Sequence, residues 1–324
     1  MALEPARIAD PSEIPVVDIS ALIDGDDAAR KAVAAQIVHA AENTGFFYIV
    51  EHGVPRELMD GVFDTAADFF ATPDNNKLGI GLETSTCFRG FLPLDSKGSD
   101  PTQRNYLEAF QMGEEHGADN SYEEILYGAN QWPSQPATLR DTMMAYHRAM
   151  DTLADRLQRA FAIGIDFPED YFLRFYRKPL NQLRLLHYPP RPPELDERVL
   201  GARVHTDTGA FTILLQDQIG GLEVQNADGE WVAATPMEGA FVVNVGDMLQ
   251  NWTNGRFISI KHRVINRSGK ERYSVPYFLN PDLTALVEPL PEFVSDDNPP
   301  RFEPVHVGEF LSKRFDSIWP RMAT

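Results

Sequence analysis

Two hydrophobic periods divide the chain. Val33, Ile37, Val38 and Ala41 recur at helical spacing within residues 27–43, and Gly45 stands where a helix would end. The same period carries Leu58, Val62, Ala66, Phe69 and Phe70 through residues 55–70, with Pro73 just beyond. Its longest stretch, residues 138–163, repeats Met143, Tyr146, Met150, Leu153 and Leu157. Helices are predicted at all three places. Residues 14–20 and 46–54 are β-branched and aromatic runs that read as strands, so the N-terminal third alternates strand and helix.

Beyond Asp166 the pattern changes. Short apolar runs, LRLLHY, GAFTILLQ, GLEVQ, WVAAT, AFVVNVG, HRVIN and RYSVPYFL, are separated by Gly, Pro, Asn and Asp, the signature of an antiparallel barrel or sandwich. The Pro-rich tract 189–197 reads as a stiff surface connection and not as a domain linker. The expected organisation is one compact unit over 1–324, mainly β with flanking helices: a helix and strand region at 14–115, a barrel core at 178–282 and a C-terminal segment with a helix at 283–324.

Composition narrows the class. A hydrophobic fraction of 43% with 10% aromatics in 324 residues is enough for a full core. The single cysteine, Cys87, rules out an intrachain disulfide and a Cys-based zinc site. The opening MALEPARIADPSE has no signal-peptide pattern and no apolar stretch approaches a membrane span, so a cytoplasmic protein without membrane association is expected. A net charge of -19 with no basic, aromatic-interleaved cluster argues against nucleic acid as a partner.

The chemistry concentrates in RVHTDTGAFTILLQD. His205 and Asp207 lie two apart in a strand or at its end, where a period of two turns both side chains to one face. His262 sits in FISIKHRVIN, a separate strand-like run. Two imidazoles and a carboxylate on one face of an octahedral ion leave other positions open, the set expected of non-haem Fe(II) oxygenases; by ligand type alone zinc also fits. A bare His-x-Asp pair is weak in a chain with eight histidines. It gains weight from ERYSVPYF, where Arg272 and Ser274 alternate onto one strand face ten residues past His262. A guanidinium and a hydroxyl there can clamp the remote carboxylate of 2-oxoglutarate. Fe(II) and Arg272 balance Asp207 and the 2-oxoglutarate dianion, so such a site is neutral and can be buried. In LRLLHYPP, Arg184, Leu186 and Tyr188 share a face; Tyr188 can donate to the same carboxylate and Arg184 can face a substrate. Asp247 reads as a turn and capping residue, and the remaining histidines as structural or exposed.

With these motifs in hand, the chain resembles the isopenicillin N synthase-like family of 2-oxoglutarate/Fe(II)-dependent dioxygenases. IPVVDIS, GFFYIVEHGV and FFATPDNNK resemble its N-terminal region, FRGFLPL its linker, and HTDTGAFTILLQDQIGGLEV through RYSVPYFLNP its barrel. The resemblance implies a double-stranded β-helix, or jelly-roll, core. It implies His205, Asp207 and His262 as iron ligands, with Arg272, Ser274 and Tyr188 holding 2-oxoglutarate. One departure is Leu186, where many relatives carry Asn; here it becomes a packing residue. The expected activity is oxidation of a C–H bond of a small molecule by O2, as hydroxylation or desaturation, with release of succinate and CO2. Two alternatives stand beside it: an Fe(II) oxidase that uses no 2-oxoglutarate, and a non-catalytic jelly-roll binding protein. Phe88, Arg89, Arg184 and Phe278 are the candidate substrate walls.

Overall fold

The structure is a computed structural model and describes residues 6–94, 104–116 and 126–318. In chain order its strands are β1 (Arg7–Ile8), β2 (Val16–Asp18), β3 (Phe46–Val50), β4 (Gly90–Leu92), β5 (Glu108–Gly113), β6 (Gln182–Tyr188), β7 (Ala202–His205), β8 (Phe211–Gln216), β9 (Leu222–Gln225), β10 (Trp231–Ala233), β11 (Phe241–Val245), β12 (His262–Val264), β13 (Arg272–Leu279), β14 (Leu286–Val287) and β15 (Val305–His306). The helices are α1 (Ala21–Asp24), α2 (Asp27–Asn43), α3 (Arg56–Phe70), α4 (Asp74–Leu78), α5 (Leu139–Gly164), α6 (Asp247–Trp252) and α7 (Val307–Ile318).

Thirteen strands form two sheets, one ordered β2-β3-β11-β8-β13-β6-β5-β4 and the other β1-β10-β9-β12-β7. Alternation along each strand decides what the large sheet buries. Phe46, Tyr48, Leu186, Tyr188 and Val242 point to one side, where they pack with Leu222, Val224, Val232 and Val264 of the small sheet. Phe47, Ile49, Leu185, Ile213, Val243 and Val275 point to the other side, against a core shared with α2, α3 and α5. Burial on both faces explains why β3, β11 and β13 read as nearly continuous apolar runs. The two facing sheets with helices outside form the jelly roll expected from the sequence.

The three long helices lie where the 3.6-residue period put them. Asp26 caps α2, its carboxylate accepting from the Ala29 amide at 2.8 Å. Gly45 follows α2 at φ 64°, and a Cβ there would stand 2.4 Å from the Ile258 carbonyl, so both conformation and space demand glycine. The strand predicted at 46–54 ends earlier, at Val50, because Glu51 turns to φ 53°. Two strands of the large sheet were not legible. FLPL and LEAFQMG carry no clean alternation, yet β4 and β5 extend the large sheet, β5 pairing along β6 from Glu108↔His187 to Gly113↔Gln182. Among the described residues no helix is long and apolar enough to cross a membrane.

Candidate active site

His205 ends β7, and its neighbour across the pair with β12 is His262, their ring centroids 4.2 Å apart. Asp207 lies beyond the strand end. The expectation that strand alternation alone would align it with His205 is therefore modified: a close-packed loop does so instead. The Asp247 amide donates to the Asp207 carbonyl at 2.7 Å, Met248 to Gly209 at 3.0 Å and Gly246 to Ala210 at 2.8 Å. This contact needs Gly246, since a Cβ there would stand 2.2 Å from the Gly209 carbonyl oxygen.

The three side chains converge. One ligating atom from each of His205, Asp207 and His262 lies within 4.8 Å of the others, and Asp207 Oδ1 stands 3.7 Å from His205 Nε2 and 3.6 Å from His262 Nε2. Each imidazole turns its other nitrogen to backbone: His205 Nδ1 donates to the Arg203 carbonyl at 2.6 Å and His262 Nδ1 to that of Ile260 at 3.2 Å. That tautomer leaves both Nε2 lone pairs directed at the shared centre. The far oxygen of Asp207 accepts from Thr212 Oγ1 at 2.5 Å and from Asn244 Nδ2 at 2.8 Å. Thr212 and Asn244 are register partners on β8 and β11, so the large sheet fixes the carboxylate that faces the histidines of the small one.

Electrostatics match a divalent cation. Burial, helped by the charge of His262, pushes the His205 imidazole down to about 4 against the opposing pull of Asp207. Burial by itself would raise the Asp207 carboxyl. The charges of His262 and His205 and the hydrogen bonds from Thr212 and Asn244 outweigh it and hold the group below its ordinary range. Neutral imidazole and ionised carboxylate are the states a metal requires. Asp247 is different: burial raises it, and its carboxylate accepts from Ser259 at 2.7 Å and Thr206 at 3.1 Å, bracing the loop beside the ligands.

Two cavities share Arg184, His205, Asp207 and Phe278 as walls. The first, about 610 Å³ of empty volume, lies between the sheets and is bounded also by His262, Arg272, Ser274, Tyr188, Leu186 and Leu214. Arg272 is 0% exposed, and among the described residues its hydrogen-bond partners are all uncharged: the Gly220 carbonyl at 2.5 Å, Ser274 Oγ at 3.2 Å and Gln216 Oε1 at 3.4 Å. Its guanidinium lies 4.7 Å from the centre of the Tyr188 ring, the residue opposite it in the β13–β6 pairing. A buried cation whose bonds reach only neutral groups retains N–H donors for an anion. Leu186 packs beneath, as expected.

The second cavity, about 690 Å³, extends from the triad to α7, whose Leu311, Arg314 and Phe315 form its outer wall. Of the four expected substrate walls, Arg184 and Phe278 face both cavities. Phe88 and Arg89 border neither of the two. Phe88, at φ 57°, sets its ring against that of Phe315 at 5.3 Å and so backs the helix that closes the cavity. Arg89 is 0% exposed and packs against Gly113, where a Cβ would stand 1.8 Å from Nη1; burial lowers its pKa. Arg89 precedes β4, between Phe88 at φ 57° and Gly90 at φ 115°, so strand alternation does not govern where its side chain goes. Thr212, Asn244, Gln216 and Gly220 went unmarked by sequence reasoning. Asn244 carried a usable signal, as the polar residue in the otherwise apolar strand FVVNV.

The family model of the 2OG-Fe(II) oxygenase superfamily matches residues 179–281, and the model described as non-haem dioxygenase in morphine synthesis N-terminal matches 14–135. The 2-oxoglutarate-Fe(II) type oxidoreductase hxnY of Emericella nidulans is 34% identical over 320 residues, covering 96% of this chain and 92% of that protein. Among solved structures, a full-length Neurospora crassa protein in complex with alpha-KG superposes with a TM-score of 0.86 at 29% identity, over 97% of this chain and 99% of that one. JOX2 in complex with 2OG, Fe and JA gives 0.77 at 29%, over 99% and 89%. The likeness spans both the barrel and the N-terminal region, and the partners it brings are iron and 2-oxoglutarate, which the His-Asp-His cluster and the buried Arg272 fit. The chain belongs to the 2OG-Fe(II) oxygenase superfamily and is a 2-oxoglutarate-dependent dioxygenase.

Proposed function

We propose that His205, Asp207 and His262 hold the Fe(II), that Arg272, Ser274 and Tyr188 hold the distal carboxylate of 2-oxoglutarate in the cavity between the sheets, and that a small-molecule substrate occupies the cavity under α7. Bound there, the metal supplies activation of O2 coupled to decarboxylation of 2-oxoglutarate to succinate and CO2, and with it oxidation of a substrate C–H bond by hydroxylation or desaturation. The observation that carries this reading is the presence of one buried guanidinium, hydrogen-bonded among the described residues only to neutral groups, in the same cavity wall as the three proposed ligands.

The residues have separable tasks. His205 and His262 present Nε2 because backbone carbonyls hold their Nδ1 protons. Ser274 accepts from Arg272 and keeps its own hydroxyl proton to donate onward. Leu186, Leu214, Leu222 and Val264 keep the carboxylate pocket dry, which strengthens the ion pair it would contain. Arg184 and Phe278 orient the substrate at the boundary between the two cavities. Relatives support a small-molecule substrate: the Neurospora crassa protein has been solved with thymine and JOX2 with JA.

The test is anaerobic addition of Fe(II) and 2-oxoglutarate, followed by succinate release in air. The wild-type protein should develop the metal-to-ligand visible absorption band. Asp207→Ala should lose both the band and turnover, whereas Arg272→Gln should need at least about 100-fold more 2-oxoglutarate, the result of removing one partner of a buried charge pair. An Asp207→Ala protein with undiminished band and turnover would sink the assignment.

A further inference from the structure

Two of the hydrogen bonds that hold Arg272 end on one short segment, QDQIGG at residues 216–221. Gln216 Oε1 accepts from Nη2 at 3.4 Å and the Gly220 carbonyl from Nε at 2.5 Å, while Ser274, on the same strand as Arg272, takes Nη1 at 3.2 Å. A guanidinium has five N–H donors, so among the described residues these three bonds leave one donor on each Nη atom. That is the edge a carboxylate grips with both oxygens. Its aim depends on where the segment places its two acceptors.

Residues 217–221 carry the chain from β8 in the large sheet to β9 in the small one, and Asp217 sets their path. One of its carboxylate oxygens accepts at 2.5 Å from the amide of Tyr273, the residue after Arg272. The other accepts at 3.0 Å from the Ile219 amide, which turns the chain back. The Asp217 amide in turn donates to the Tyr273 carbonyl at 3.1 Å. Asp217 is thus fastened to the backbone beside Arg272 while it shapes the turn that brings Gly220 to the guanidinium. The far end of that turn is fixed as well: Gly221 stands at φ 101°, and a Cβ there would lie 2.7 Å from the Ile265 carbonyl.

Charge and geometry at Asp217 pull in opposite directions. Burial raises this half-buried carboxyl, and the amides of Tyr273 and Ile219 and the charge of Arg272 oppose the rise. A negative charge beside the clamp repels a second carboxylate, so an Asp217 that acted through charge alone would weaken the hold on 2-oxoglutarate. One that acts through its two amide bonds strengthens it. Asparagine separates the two roles, because it removes the charge and sets an NH2 group against one of the backbone donors.

We propose that Asp217 is a positioning residue for the cosubstrate: by accepting from Tyr273 and Ile219 it fixes the 216–221 turn, and through Gln216 and Gly220 it aims Arg272 at the remote carboxylate of 2-oxoglutarate. This inference rests on the proposed cosubstrate site. It makes Asp217 a determinant of the preference for a dicarboxylic 2-oxo acid over a monocarboxylic one.

The test titrates the anaerobic Fe(II) protein with 2-oxoglutarate and with 2-oxopentanoate, which carries the same 2-oxo acid group but ends in a methyl, and follows the visible band. Asp217→Asn is expected to bind 2-oxoglutarate about tenfold more weakly or worse, and 2-oxopentanoate within about twofold of wild type. Gly220→Ala disturbs the same turn through its backbone, at φ 81° where a Cβ has room 3.5 Å from its nearest neighbour, and should show the same selective loss. In the Arg272→Gln protein, adding Asp217→Asn should cost no more than about a further twofold, because the group it aims is gone. An Asp217→Asn protein whose 2-oxoglutarate affinity is unchanged or raised, a loss shared equally by both oxo acids in both variants, or full additivity with Arg272→Gln would overturn the proposal. A wild-type protein that shows no band, or that binds the two oxo acids equally, would instead overturn the cosubstrate site, so the two failures are distinguishable.

Discussion

At the scale of single residues, the proposed metal centre would depend on groups that do not themselves ligate. Thr212 and Asn244 both donate to the outer oxygen of Asp207, leaving the inner one toward the two Nε2 atoms. Without either donor the buried carboxylate can rotate, and less then opposes the burial that disfavours its charge. Thr212→Val and Asn244→Leu are each expected to weaken Fe(II) affinity by about 10- to 100-fold, measured by anaerobic titration, with the fold retained as judged by circular dichroism. Unchanged affinity in both would show that the loop alone aims Asp207. The proposed ligands could be picked out in the chain because His-x-Asp, a distant His and Arg-x-Ser follow in order. Thr212 could not, and Asn244 only as the lone polar residue of an apolar strand, because their role comes from the β8–β11 register, a long-range pairing that local sequence does not encode.

At the scale of elements, the large sheet is tied to α5 by one acid. Asp151 accepts from His147 Nδ1 at 2.8 Å and Asn181 Nδ2 at 3.1 Å, and also from the Tyr277 hydroxyl, so it joins the helix to the start of β6 and to β13. Burial alone would raise this carboxyl, but the His147 hydrogen bond and charge, with Tyr277 and Asn181, hold it below the ordinary carboxylate range. A depressed folded-state pKa stabilises the protein above the unfolded value of about 3.9 and is lost as pH falls through the lower folded value. Asp151→Asn should therefore destabilise by about 1 to 2 kcal/mol at pH 7, a figure reduced for its partial exposure, with the gap to wild type closing below about pH 4. Chemical unfolding across pH measures this, and a gap independent of pH would mean that the carboxylate charge is idle. Helix α5 itself was legible, since its apolar stripe repeats over 26 residues. Strands β4 and β5 were not: β5 is buried at every position, so polar and apolar residues do not alternate, and the strand is fixed by β6 beside it.

At the scale of the whole molecule, the site is divided between the two sheets. His205 and His262 come from the small sheet, whereas Arg272, Ser274 and Tyr188 come from the large one, with an apolar layer between them. Metal alone would engage the loop and the small sheet, while 2-oxoglutarate, held at the metal and at Arg272, would clamp one sheet to the other. Ligands that bind only the folded state raise its stability by mass action, ~2.7 kcal/mol at 100-fold excess over Kd, a midpoint shift of about 4 °C for a chain of this size. Thermal unfolding without oxygen should show a small rise with Fe(II), a negligible one with 2-oxoglutarate, and with both a rise larger than their sum. Arg272→Gln should keep the metal increment and lose most of the cooperative one, because the cosubstrate would then be held from one sheet only. Strictly additive increments in the wild-type protein would show that metal and cosubstrate bind independently, and the clamp between the sheets would have to be abandoned.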